Sequence, residues 1–162
     1  MNMQKNPMPP PYPDVIDLLT TTGRARPEDI RPCTLDEISE IRTARGGSLH
    51  PQYEQFLAVM GGGAGILLRG TDFFHPDVVN IGVEGIELLT DDDALDLLPA
   101  GSTLVGLHGG SELYWIEPDG TVRWYKEGRG IYRSWPSFPE FLLAQIRAEV
   151  NAAAELERLR RR

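Results

Sequence analysis

The chain has 162 residues, 41% of them hydrophobic and 25% charged, which fits one globular domain with a core large enough to fold without covalent staples. A single cysteine, Cys33, excludes an intrachain disulfide framework, and no apolar run approaches the length of a membrane span. The net charge of −8 is unevenly spread: segment 70–122 holds eleven carboxylates and no Lys or Arg. Such a field repels nucleic acid and favours basic partners. With no leader-like apolar run near Met1, the expected location is the cytoplasm.

Residues 1–13 contain five prolines and are expected to be flexible or extended. A short helix follows over 13–19, with Pro13 in its first turn. Residues 20–32 read as a loop. Thr34 and Glu37 have the spacing of a capping box, and Cys33 and Ile38 that of a hydrophobic staple. They open a helix whose apolar face is expected to carry Leu35, Ile38 and Ile41, and which Gly46 and Gly47 stop.

Pro51 opens the next helix. Tyr53, Phe56, Leu57 and Met60 recur at i, i+3, i+4 and i+7 as one apolar stripe, and Gly61 stands where a left-handed C-cap is expected. Segments 66–69 and 72–74 read as short strands. Segment 78–89 fits strand or helix equally. Asp91, Asp92 and Asp93 suit the N-terminus of a short helix reaching Leu98, because carboxylates favour that end of the macrodipole. Residues 103–107, 112–116 and 121–125 read as strands, the last two joined by a turn at Glu117-Pro118-Asp119-Gly120. Ser137 and Glu140 form a second capping box ahead of Phe138, Phe141, Leu142 and Ile146. The tail 151–162 extends this helix or frays. Helices, then strands, then a helix indicate an α+β fold: N-terminal helices, a central, mainly antiparallel twisted sheet and a C-terminal helix packed on it.

Catalytic signatures are weak. Gly61-Gly62-Gly63-Ala64-Gly65 follows a helix and precedes a strand, the reverse of a nucleotide loop, and no Gly-Lys-Ser/Thr is present. His50, His75 and His108 are scattered, and Asp72, His75 and Asp77 lack the spacing of a zinc site. Ser111 has no Gly-x-Ser-x-Gly context. Glu112 and Glu117 lie at the two ends of one strand on opposite faces, which argues against an acid–base pair. No metal or cofactor is expected. The arginines at 158 and 160–162 suit a helix C-terminus rather than a broad nucleic-acid face. Trp115, Trp124, Tyr125, Tyr132 and Trp135 serve as core or as interface anchors, and only one of Trp124 and Tyr125 faces the core.

Leu49-His50-Pro51-Gln52-Tyr53-Glu54-Gln55-Phe56-Leu57 followed by Met60-Gly61-Gly62 resembles the SUKH superfamily of Smi/Knr-like proteins. Leu104-Val105-Gly106-Leu107 with its glycine turn, the Glu117–Gly120 hairpin and Ser137-Phe138-Pro139-Glu140-Phe141-Leu142 are similar in order and spacing. His50 between Leu49 and Pro51, Met60 in place of Asn before the glycines, and Ser111-Glu112 in place of Asp depart from the family pattern. The resemblance spans about 34–146 and implies a SUKH-like domain over 14–150, with 151–162 as a C-terminal extension. Leu49, Pro51, Tyr53, Phe56, Leu57, Gly61 and Gly62 would be its structural signature.

It also implies a protein-binding immunity protein, not an enzyme, that neutralises a bacterial toxin domain such as a nuclease or deaminase. The alternative is an intracellular regulatory or scaffold adaptor of the same fold. Glu84, Glu87, Asp91, Asp92, Asp93, Asp96 and Glu112, with Trp115 and Trp124, are the candidate contacts for a basic partner. No nucleic acid or membrane is expected as partner, and a monomer is the default state. A third reading, an enzyme or small-ligand binder built around the glycine segment, requires a deep polar pocket there.

Overall fold

The computed structural model describes residues 12–162. Of the expected flexible or extended segment 1–13, residues 1–11 lie outside the described residues, and Pro13 instead opens a helix. Tyr12 is already built into the core: its ring sits edge-on to Phe56 and Phe138, both at 6.4 Å, and its hydroxyl donates to the Gln52 carbonyl.

Among the described residues, five α-helices and two antiparallel sheets make up an α+β fold. Helix α1 (Pro13–Thr21) is followed by strand β1 (Ile30–Arg31), α2 (Leu35–Ala44), α3 (Pro51–Met60), β2 (Gly63–Ala64) and β3 (Thr71–Asp72). A short 3-10 turn leads into α4 (Ile81–Asp91), and then come β4 (Thr103–His108), β5 (Glu112–Ile116), β6 (Val122–Lys126), β7 (Gly130–Trp135) and α5 (Phe138–Arg160). β1 and β2 form a two-stranded sheet, while β3 to β7 form an antiparallel meander in chain order.

The capping box of α2 is complete: Thr34 accepts from the Glu37 N–H, and the Glu37 carboxylate accepts from the Thr34 N–H at 2.8 Å. At α5 only half of the box forms. Ser137 Oγ accepts from the Glu140 N–H, and its hydroxyl, rather than the backbone, faces the Glu140 carboxylate. Helix α3 buries Tyr53, Phe56, Leu57 and Met60 completely, as their helical spacing predicts. Phe56 lies 5.2 Å from Phe138 and 5.3 Å from Phe73, so one aromatic cluster joins α3, α5 and the chain after β3.

The sheet is covered on both faces. Tyr114 on β5 and Trp135 on β7 pack against Phe141 of α5, at 5.4 and 5.0 Å. The opposite face carries Leu104 and Leu113, on which α4 lies. A Cβ added to Gly85 of α4 would come within 2.8 Å of Leu113 and 3.1 Å of Leu104, so the helix sits closer to the sheet than any side chain allows.

Several expectations are corrected. Leu35 does not share the buried face of α2 and is 86% exposed; Ile38 and Ile41 alone face inward. Gly61 has φ −64°, so it is no left-handed cap. Its side would instead run into Leu57 and Cys33, each within 2.7 Å of an added Cβ, and this close approach is what requires glycine. Segment 66–69 is a series of turns. Leu67 and Leu68 are both buried, which an alternating strand cannot achieve. Segment 72–74 contributes only Asp72 to β3.

Segment 78–89 is resolved as 3-10 turn and helix. The aspartates end α4 rather than start a helix, because Ile81, Gly85, Leu88 and Leu89 set a continuous inward stripe that runs up to them. Strands β1, β2 and β7 have no counterpart in the sequence reading. Four of the six β7 residues are exposed, so no apolar alternation marks it. The tail 151–160 continues α5.

Arg45, the C-cap of α2, donates from its guanidinium to three carbonyls: Val78, Val79 at 2.9 Å and Leu104 at 3.0 Å. Arg45→Met is expected to leave these carbonyls short of donors and to lower unfolding free energy by about 2–4 kcal/mol, given ~1–3 kcal/mol per unsatisfied buried group. Urea denaturation with an unchanged m-value would measure it. Cys33 is buried, and burial, with a smaller contribution from the nearby Glu37 charge, pushes its thiol up to about 11. The reactive thiolate is therefore scarce at pH 8. A thiol reagent is expected to label the native protein slowly at pH 8 and the urea-unfolded protein at once.

Candidate protein-binding surface

The Gly62 N–H donates to the Arg31 carbonyl at 2.9 Å, and Gly63 and Ala64 pair with β1, so these amides serve a β-ladder. Among the described residues, no group of three or more His, Cys, Asp or Glu is arranged to hold a metal ion. No described helix is long and apolar enough to cross a membrane.

The candidate contacts divide between the two faces of the large sheet. Leu113 and Trp115 alternate with Glu112 and Tyr114 along β5, and their partners Tyr125 and Trp124 alternate likewise on β6. Glu112 and Trp124 therefore lie on the α5 side. The Glu112 carboxylate accepts from Trp124 Nε1 at 3.2 Å and sits 3.5 Å from the Lys126 ammonium, which in turn lies over the Trp124 and Tyr132 rings. This group borders a depression of about 510 Å³ between the sheet, the 66–71 turns and α5. Thr71 Oγ1 and His108 Nδ1 are 3.0 Å apart there, and Arg24 bridges Glu149 at 2.9 Å.

Trp115 is removed from the candidate surface. It is fully buried and donates from Nε1 to Glu117 at 3.2 Å, while Glu117 is bridged by Arg123 at 3.1 Å. Parity along the strand separates Glu112 from Glu117 as expected, each serving a tryptophan on its own face.

The remaining six carboxylates belong to α4 and the turns after it. Asp92 is not a free contact: it accepts from the Tyr125 hydroxyl and from the Gly128 N–H at 2.9 Å, tying the end of α4 to the β6–β7 hairpin. Asp93 takes a left-handed conformation, φ 53°, that turns the chain off the helix. Glu84, Glu87, Asp91, Asp93 and Asp96 are exposed.

Between them lie apolar residues that the sequence reading did not single out. Val83 is 69% exposed, and Ile86, Leu95 and Leu97 are also exposed. Beside them is a depression of about 480 Å³ lined by Arg45, Val83, Ile86, Glu87, Leu98 and Leu104. Helix α4 is thus apolar on two sides, one packed on the sheet and one open. An exposed apolar stripe rimmed by charge is the usual form of a protein-interaction surface. The signal was present in the sequence: once 81–91 is read with helical period, Val83 and Ile86 form a second stripe apart from Ile81, Gly85, Leu88 and Leu89.

Compared with protein-family models, curated proteins and solved structures, the chain matches none.

Asp92→Ala removes an acceptor from two donors and is expected to destabilise the fold by about 1–3 kcal/mol. Asp93→Gly relieves a left-handed residue and is expected to stabilise it by about 0.5 kcal/mol. Thermal unfolding of the two variants, with Asp91→Ala as a neutral control, checks the division between anchoring and surface aspartates.

Proposed function

We propose that the chain is a protein-binding module of immunity type, which neutralises a basic toxin domain, a nuclease or nucleic-acid deaminase, by covering its active surface. The observation that carries this reading is the open side of α4, where Val83 and Ile86 form an apolar stripe flanked by Glu84, Glu87 and Asp91. A nuclease must expose a cationic surface to hold phosphates. Carboxylates alongside an apolar stripe meet that surface with opposite charge, and the stripe supplies a patch from which water is excluded. The resemblance of segment 34–146 to SUKH proteins supports the same reading. A cytoplasmic location follows from it, since an immunity protein acts where the toxin's substrate is.

The test is co-expression with a toxin domain encoded beside this chain. Growth is expected to be rescued, and Glu84→Lys combined with Glu87→Lys and Asp91→Lys is expected to abolish rescue. The same triple substitution should slow association at low salt by about 10-fold or more, and the wild-type rate should fall as salt rises. Rescue that is indifferent to these substitutions overturns the assignment of the α4 face. Binding without any rescue assigns the chain to adaptors instead.

A further inference from the structure

Two exposed apolar surfaces stand on opposite sides of the molecule, and their charges are opposite. One is the α4 groove. The other is the end of α5. The last α5 residue packed against the core is Val150; beyond it every residue from Asn151 to Arg162 is exposed. The helix nevertheless continues to Arg160, so about 15 Å of it projects without a partner. Leu156 and Leu159, 57% and 59% exposed, form an apolar pair on that projection. Arg158, Arg160, Arg161 and Arg162 surround them. Glu155 and Glu157 engage Arg158 and Arg161, while Arg160 and Arg162 have no ion pair among the described residues.

We propose that the projecting end of α5 docks into the α4 groove of a second copy of this chain. The spacing matches: Val83 and Ile86 on one helix, Leu156 and Leu159 on the other, are each an i, i+3 pair on one face. The charges match as well. Glu87 lines the groove, Glu84 and Asp91 are exposed on the same helix, and the one basic lining residue, Arg45, is held by three carbonyls. A copy cannot fill its own groove, because α4 and α5 cover opposite faces of the sheet and α5 is uninterrupted from Phe138 to Arg160. A helix segment of this length without tertiary contact is marginal in water, and docking gives it one. The contact is head-to-tail, so each pair retains one free groove and one free tail. It rests on the α4 surface and not on the toxin reading. A basic partner on α4 would compete with it.

Sedimentation velocity over a concentration series tests this. The wild-type mass is expected to rise with concentration at low salt and to fall back at high salt. Val83→Glu with Ile86→Glu, and separately Leu156→Glu with Leu159→Glu, are each expected to be monomeric; all four sites are exposed, and circular dichroism confirms the folds. An equimolar mixture of the two variants is then expected to associate again as a one-to-one pair, since one retains its tail and the other its groove. A wild type that stays monomeric throughout overturns the proposal. So does a mixture that fails to pair, and so does association that survives the groove substitutions, which would mean tail-to-tail packing. The tail variant keeps its α4 face, so toxin binding by that variant is judged independently of this outcome.

Discussion

Three carbonyls converge on one guanidinium: those of Val78 and Val79, from the turn that enters α4, and that of Leu104, from β4, all bonded to Arg45. Among the described residues no carboxylate pairs with Arg45. It is solvated by backbone dipoles, and burial lowers its proton affinity without removing the proton from so strong a base. Arg45 also stands at the C-terminus of α2, where a positive charge meets the negative end of the helix dipole. The end of α2, the start of α4 and a central strand are therefore fixed by a single side chain. The placement of α4 against the sheet, and with it the open groove beside the helix, depends on this junction together with the bare Cα of Gly85.

Much of the scaffold was legible because its signals are local. Thr34 with Glu37, Pro51 with its apolar stripe, and the Glu117–Gly120 turn each state their structure within a few residues, and each is found where expected. The alternation of Trp124 and Tyr125 was likewise readable, with Tyr125 inside and Trp124 half-exposed. The parts that escaped depend on distant partners. β1 exists because Gly63 and Ala64 lie beside it. β7 pairs with β6 across an irregular register while showing most of its side chains to solvent. Leu35 fitted a helical period and is exposed, since none of the described residues covers that side of α2.

The candidate surface was half legible for a related reason. Charge is a local property, so the carboxylates of 84–96 were visible at once. Their orientation was not, because an aspartate triplet reads as a helix start until the apolar stripe before it is recognised as a helix. The same three residues then take three roles: Asp91 closes the helix, Asp92 anchors the β6–β7 hairpin and Asp93 turns the chain away. Trp115 shows the reverse failure. A residue type favoured in interfaces is equally favoured in cores, and only the burial of its ring and the Glu117 carboxylate at its nitrogen assign it to the interior.

The order of the large sheet has a consequence for how the chain finds its structure. Because β3 to β7 are neighbours in the order in which they are made, the β4 to β7 hairpins close over short loops and lose little chain entropy. The ends of the chain are a different matter. Arg24 meets Glu149 across 125 residues, and Phe56 meets Phe138 across the whole meander. Such closures are slow to form before the intervening chain is compact. The topology thus favours a sequence in which the meander condenses first and the terminal helices seal it. The aromatic cluster is then the last part of the interior to lose its water.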